Sequence, residues 1–219
     1  MTLLFRLALF LSAALVVNSS WLDYVQQIGR NQVTSAGSIQ SDWPNTGFRF
    51  QFLATNTSAN IEISFADCYG SCHSYVAVEV NCERVGKFEV SSSHLKVQQS
   101  LLTNKGQTYD IVLRKVTETS FSDAYGVLET SSIEVNGGDL LPAKEFNSIC
   151  TKKNQLIVFG DSYTAAFGVD QLSPCSYSAA TQDVTHGYAV LMADELEADI
   201  HVIAWSGKGA VRNYGDANQ

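Results

Sequence analysis

The sequence predicts a jelly-roll-like β-sandwich followed by an incomplete α/β domain of the doubly wound, flavodoxin-like class. Three observations carry this reading. From about residue 37 to 136, apolar side chains recur with period two and turn residues interrupt them. After Pro142 the pattern changes to a continuous apolar run, a helical stripe and a second apolar run. The 219 residues are 45% hydrophobic and 16% charged with three prolines, which excludes a disordered tail, a collagen-like fibre or a mini-protein held by staples.

The chain opens with Arg6, an apolar run over residues 7–17 and the small-residue stretch Val17-Asn18-Ser19. That is the layout of a secretory signal peptide over residues 1–19, and the run falls short of the ~20 apolar residues a membrane helix needs. The expected protein is therefore secreted and extracellular. A sandwich domain over 20–145 and a partial α/β domain over 146–219 are expected to follow, with a boundary near 140–153.

Strands are expected first where Phe48-Arg49-Phe50-Gln51-Phe52, Ile61-Glu62-Ile63-Ser64-Phe65 and Val76-Ala77-Val78-Glu79-Val80 alternate. Further candidates cover residues 88–90, 95–101, 109–116, 125–129 and 132–135. Asn104-Lys105-Gly106 and Asn136-Gly137-Gly138 supply turn chemistry between them. In the second region Leu156-Ile157-Val158-Phe159 reads as a parallel strand buried on both faces. A helix is expected over 186–198 with Tyr188, Leu191, Met192 and Leu196 on its buried stripe, followed by a strand at His201-Val202-Ile203-Ala204-Trp205.

The five cysteines, Cys68, Cys72, Cys82, Cys150 and Cys175, all follow the leader, and an exported protein meets oxidising conditions. Cys68 with Cys72 is the expected pair and Cys150 with Cys175 a weaker one. A strand between Cys72 and Cys82 would hold those two roughly 33 Å apart, which excludes bonding them. A zinc site at Cys68, Cys72 and His73 is the alternative, but no second cluster completes four ligands. Asn56-Thr57-Ser58 is a glycosylation sequon. The net charge of −8 disfavours nucleic acid and anionic membrane surfaces as partners.

In an open parallel sheet, reactive groups gather at the carboxyl ends of the strands. Gly160-Asp161-Ser162 ends the first apolar run and Ser206-Gly207-Lys208-Gly209 ends the second. Ser162 is the candidate nucleophile, and a helix after it would aim amides at a developing oxyanion. The Gly-x-Ser-x-Gly elbow of α/β-hydrolases and the P-loop pattern are both absent. Gly207-x-Gly209-x-x-Arg212 misses the dinucleotide fingerprint by its third glycine.

Phe159-Gly160-Asp161-Ser162-Tyr163-Thr164, followed by Phe167-Gly168, resembles the first block of the SGNH (GDSL-type) hydrolases. Ser206-Gly207-Lys208-Gly209-Ala210-Val211-Arg212-Asn213-Tyr214 resembles their second block, in the form carried by family-2 carbohydrate esterases such as acetyl xylan esterases. Trp43-Pro44-Asn45-Thr46-Gly47 also looks like that family, and the resemblance spans about residues 29–219. It implies a secreted serine ester hydrolase that removes acetyl groups from plant cell-wall polysaccharide, with no cofactor and no metal, working as a monomer. Ser162 would attack the acetyl carbonyl. The amides of Ser162 and Gly207 would form part of the oxyanion hole, and Asp161 would orient the loop. Arg212 and Asn213 would be structural and Lys208 a solvated cation.

Two departures matter. Ala166 stands where the family usually has glycine, and the family's third block, with its Asn, and last block, with its catalytic His, are not in these 219 residues. The resemblance therefore implies a C-terminally truncated chain without its own base, and so without activity. Asp183-Val184-Thr185-His186 spells the family's Asp-x-x-His but precedes the second block, so Asp183 is expected to cap a helix instead. His73, His94 and His201 are expected in ordinary polar contacts. The competing function is a secreted protein that binds polysaccharide without chemistry, for which Trp21, Trp43 and Tyr75 are candidate contacts.

Overall fold

The structure is a computed structural model that describes residues 20–66, 74–90, 94–97, 99–119, 126–172 and 178–216. The expected leader, the Cys68–Cys72 pair, His73 and Cys175 lie outside the described residues. The fold is mostly β. In chain order the strands are β1 (Gln26–Ile28), β2 (Asn31–Val33), β3 (Ile39–Ser41), β4 (Gly47–Ala54), β5 (Asn60–Phe65), β6 (Tyr75–Val80), β7 (Glu83–Glu89) and β8 (His94–Val97). They continue with β9 (Thr108–Lys115), β10 (Leu128–Asn136), β11 (Gly138–Leu141), β12 (Asn154–Gly160) and, after the helix α1 (Tyr188–Glu195), β13 (Ala198–Ala204).

Two antiparallel sheets share one apolar core. The first runs β1-β4-β9-β6-β7, with β11 also paired to β4, and the second runs β2-β3-β10-β5-β8. Alternation decides which side chains meet. Phe48, Phe50 and Phe52 of β4 and Ile61 and Ile63 of β5 are all buried in the same cluster. Trp21 joins it edge-on to Phe48, with its indole N–H donated to the Gly37 carbonyl at 3.0 Å. It is a core side chain here, not a free sugar platform.

The third sheet is the parallel pair β12–β13, in register from Asn154↔Ala198 to Gly160↔Ala204. It packs with α1 on the outer face of the first sheet. There Ala77 of β6 and Val116 join Ala165, Val184, Ala189, Ala193, Ile200 and Val202 in a second cluster. Polar contacts tie the two bodies at the same seam. The Asn45 side-chain amide donates to the Ile200 carbonyl at 3.1 Å, the Val184 amide donates to the Val116 carbonyl, and Arg49 reaches Thr151.

Three expectations are corrected. Cys150 is bonded to Cys82, not to Cys175, and this disulfide ties β6–β7 to the segment before β12 across a sequence separation of 68. Cys82 is thereby engaged away from Cys72, as expected. The β12 run is not buried on both faces: Leu156 and Val158 face the second cluster, but Ile157 is 58% and Phe159 72% exposed. In α1 the stripe is reversed. Ala189 and Ala193 lie inside, while Tyr188, Leu191, Met192 and Leu196 are about half exposed. Small side chains let the helix approach β13 closely and leave the large ones on the far side.

Candidate active site

The carboxyl ends of β12 and β13 carry the two loops singled out from the sequence. Their start is fixed by contact: a Cβ on Gly160 would lie 1.9 Å from the Thr164 hydroxyl, so only glycine fits. Gly160 O accepts the Trp205 amide at 3.3 Å, which joins the two strand ends. Asp161 then folds the first loop, because its Oδ1 accepts the Tyr163 amide at 3.0 Å. The Asp161 carbonyl accepts the Ala165 amide and the Ser162 carbonyl accepts the Phe167 amide, both at 2.9 Å. The segment after Ser162 is a series of turns, not the helix expected there. Ala166 adopts φ +59°, a left-handed conformation natural to glycine, and its methyl is buried toward Gly187.

In the second loop Gly207 has φ +77° and its carbonyl accepts the Tyr214 amide at 2.8 Å. A Cβ on Gly209 would strike the Arg212 carbonyl, and the Asn213 side chain accepts the Gly209 amide. Lys208 is not simply solvated: its ammonium lies 5.1 Å from the Trp205 ring centroid. Trp205 in turn meets Trp43 edge-on at 5.9 Å. Ser162, Gly207, Asp161, Phe167, Arg212 and Tyr214 line one open cavity of about 460 Å³. Among the described residues, neither the Ser162 nor the Gly207 amide donates a hydrogen bond. Two free amides beside a serine hydroxyl can stabilise an oxyanion.

The histidines stand elsewhere. His186 holds Asp170 through Nδ1 at 2.7 Å and meets an Arg84 Nη at 2.8 Å through Nε2. It lines a different cavity, with Cys82, Arg114 and Asp194. Asp183 caps the short 3-10 turn Val184–His186 by accepting the Thr185 amide, while α1 itself starts at Tyr188 behind Gly187. Burial acts to raise the Asp170 carboxyl, but the hydrogen bonds from His186 and Lys87 outweigh it and hold the group below its ordinary value. Asp170, Asp183 and His186 have ligand atoms within 4.8 Å of one another. Arg84 and Lys87 already neutralise that cluster, so it does not suit a cation. His94 lies beside Ser64 and Glu62, and His201 lies on β13 opposite Ile157.

The seam below the loops holds a group that sequence reasoning missed. Lys115 is fully buried, and its ammonium donates to the carbonyls of Asp42 and Thr117 and to the Thr119 hydroxyl. Burial pushes it down to about 7, against the pull of Asp42 and Glu118. Between that value and the ordinary 10.5 the unfolded chain binds a proton that the folded chain lacks, so stability rises with pH across this window. The expected slope from this group is up to about 1.4 kcal/mol per pH unit. Urea midpoints at pH 7 and 9.5 check it: Lys115→Met should remove the rise, and an equal rise in both proteins would sink the assignment.

Comparison with known proteins fits this geometry. No family model matches the chain. An acetylxylan esterase / glucomannan deacetylase of Cellvibrio japonicus is 18% identical over 200 residues, which span 89% of this chain and 51% of that protein. The cellulase/esterase CelE of Acetivibrio thermocellus is 25% identical over 190 residues, 86% of this chain and 21% of that protein. The crystal structure of a carbohydrate esterase family 2 enzyme with a carbohydrate-binding domain, from Myceliophthora fergusii, is 29% identical. It superposes with a TM-score of 0.67 over 86% of this chain and 51% of that one. These neighbours point to carbohydrate esterase family 2. The chain spans about half the length of the first of these two esterases and about a fifth of the second.

Proposed function

We propose that the chain carries the β-sandwich and the first part of the SGNH domain of a secreted carbohydrate O-deacetylase, a serine ester hydrolase acting on acetylated plant cell-wall polysaccharide. In this reading residues 1–19 are the leader, 20–145 the sandwich and 146–219 the partial hydrolase domain. The protein is monomeric and extracellular. One observation carries the reading: Ser162 and Gly207, at the ends of adjacent parallel strands, line one cavity with both amides undonated. The Ser162 oxygen attacks the acetyl carbonyl, the amides of Ser162 and Gly207 receive the oxyanion, and Asp161 holds the turn that presents them. Each such donor supplies on the order of 3 kcal/mol to the transition state.

The base that takes the Ser162 proton lies outside the described residues, since His94, His186 and His201 are placed elsewhere. That same observation favours a second reading, a chain that binds polysaccharide without turnover, with Trp43 and Trp205 lining a neighbouring cavity that shares Asp161, Lys208 and Gly209 with that of Ser162. Acetate release from acetylated xylan, with Ser162→Ala as control, tests the first reading. Retention on insoluble xylan without acetate release marks the second.

A further inference from the structure

The second loop is held from outside its own sheet. Glu118 follows β9 in the first sheet and is 2% exposed. Its two carboxylate oxygens divide two donors between them: Oε2 accepts the Ser206 amide and Oε1 accepts the Ser206 hydroxyl, each at 2.5 Å. Ser206 directly precedes Gly207, so this grip sets the plane of the peptide that presents the Gly207 amide. The Glu118 amide donates to the side-chain oxygen of Gln182 at 3.1 Å. Gln182, fully buried, passes its own N–H to the Ala165 carbonyl at 2.9 Å. Ala165 in turn donates to the Asp161 carbonyl, inside the Ser162 loop.

We propose that Glu118 is a positioning residue that fixes the Ser206–Gly207 peptide from the antiparallel body, with Gln182 coupling that anchor to the Ser162 loop. The proposal rests on the reading of these loops as an ester-hydrolysing site, but its geometry stands without it. A carboxylate suits the task because two donors on one residue need two acceptors with no hydrogen of their own. Burial raises the Glu118 carboxyl above its usual range, while the Ser206 hydrogen bonds and Lys115 oppose that rise.

The test is amide hydrogen exchange on the full chain, followed residue by residue by NMR. Glu118→Gln offers one acceptor where two are needed. It should speed exchange of the Ser206 and Lys208 amides at least tenfold and leave Ile111 to Leu113 of β9 unchanged. Adding Ser206→Ala to Glu118→Gln removes one of the two competing donors. The single glutamine oxygen can then serve the amide, so protection at position 206 should recover by several-fold. A residue acting only through general stability would show no such rescue. Unchanged exchange at Ser206 in Glu118→Gln, or a uniform rise through β9 as well, overturns the proposal. Acetate release is measured in parallel: where the parent hydrolyses, Glu118→Gln should lower kcat about tenfold with KM unchanged. No release by the parent counts against the deacetylase reading alone and leaves the exchange result to judge the anchor.

Discussion

Acetate release from acetylated xylan is expected to fall to the protein-free background in Ser162→Ala and to be kept in His186→Ala. A serine hydroxyl is a weak nucleophile until a base takes its proton. A positioned base contributes ~10²–10⁴-fold, and members of one catalytic unit do not act additively, so Ser162→Ala alone removes most of the rate. His186 is unsuited to the task. Its Nδ1 is spent on Asp170 and its Nε2 faces an Arg84 Nη, so neither nitrogen is turned toward Ser162. His201 pairs with Ile157, three rungs before the Gly160–Ala204 end, which is about 10 Å along the strands. Turnover lost in both variants would make Asp183 and His186 the partners of Ser162 and overturn this expectation. Turnover lost in Ser162→Ala alone would leave Ser162 as nucleophile and place its base beyond the described residues.

The largest stability effect is expected at Arg84. Asp183 is fully buried, and the guanidinium of Arg84 meets its Oδ2 at 2.5 Å while also contacting Thr185 and His186. Breaking a buried pair from one side leaves an uncompensated charge, at a cost of about 3–5 kcal/mol. Arg84 is itself 27% exposed, and Lys87 remains 4.0 Å from the same oxygen, which places Arg84→Met near the lower limit, at ~3 kcal/mol. Asp183→Asn removes the stranded charge, so the double variant should lose less than the sum of the two single losses. Urea denaturation of the four proteins measures this. A loss below ~1 kcal/mol in Arg84→Met, or strict additivity, would show that the pair holds nothing together.

Much of the β structure was legible because period-two alternation is imposed by a sheet with one buried face. β4, β5, β6 and β9 fall where Phe, Ile and Val alternate with polar residues. Only the last residues of β7 are legible, because Glu83–Glu89 is half exposed along its length and carries little alternation. The alternation of β10 breaks where its register shifts between Thr130 and Ser132, so one strand reads as two. The three-residue strands β1, β2 and β3 are too short to show any period. The reversal of α1 has a different cause. A stripe of large apolar residues signals burial only when something covers it, and here alanines give the closer fit to β13. At the site, Ser162, Asp161 and Gly207 were readable because a turn after a buried strand has local chemistry. Glu118, Gln182 and Arg84 were not, since their partners lie 88, 64 and 99 residues away and no local pattern marks them. Cys82 with Cys150 was hidden in the same way.

The packing of the parallel pair on the outer face of the first sheet bears on modularity. Proteins built of several units invite exchange of one unit for another, on the assumption that each brings its own chemistry. That assumption fails at this seam. Asn45 steadies β13, Trp43 backs Trp205, and Glu118 grips Ser206, all from the antiparallel body. A chimera that replaced residues 1–145 with an unrelated β-sandwich would keep every residue of the two loop motifs and lose the supports on which they rest. Recombination at this boundary should therefore succeed only between chains that bring the Trp43–Asn45 turn and the Glu118 carboxylate with them.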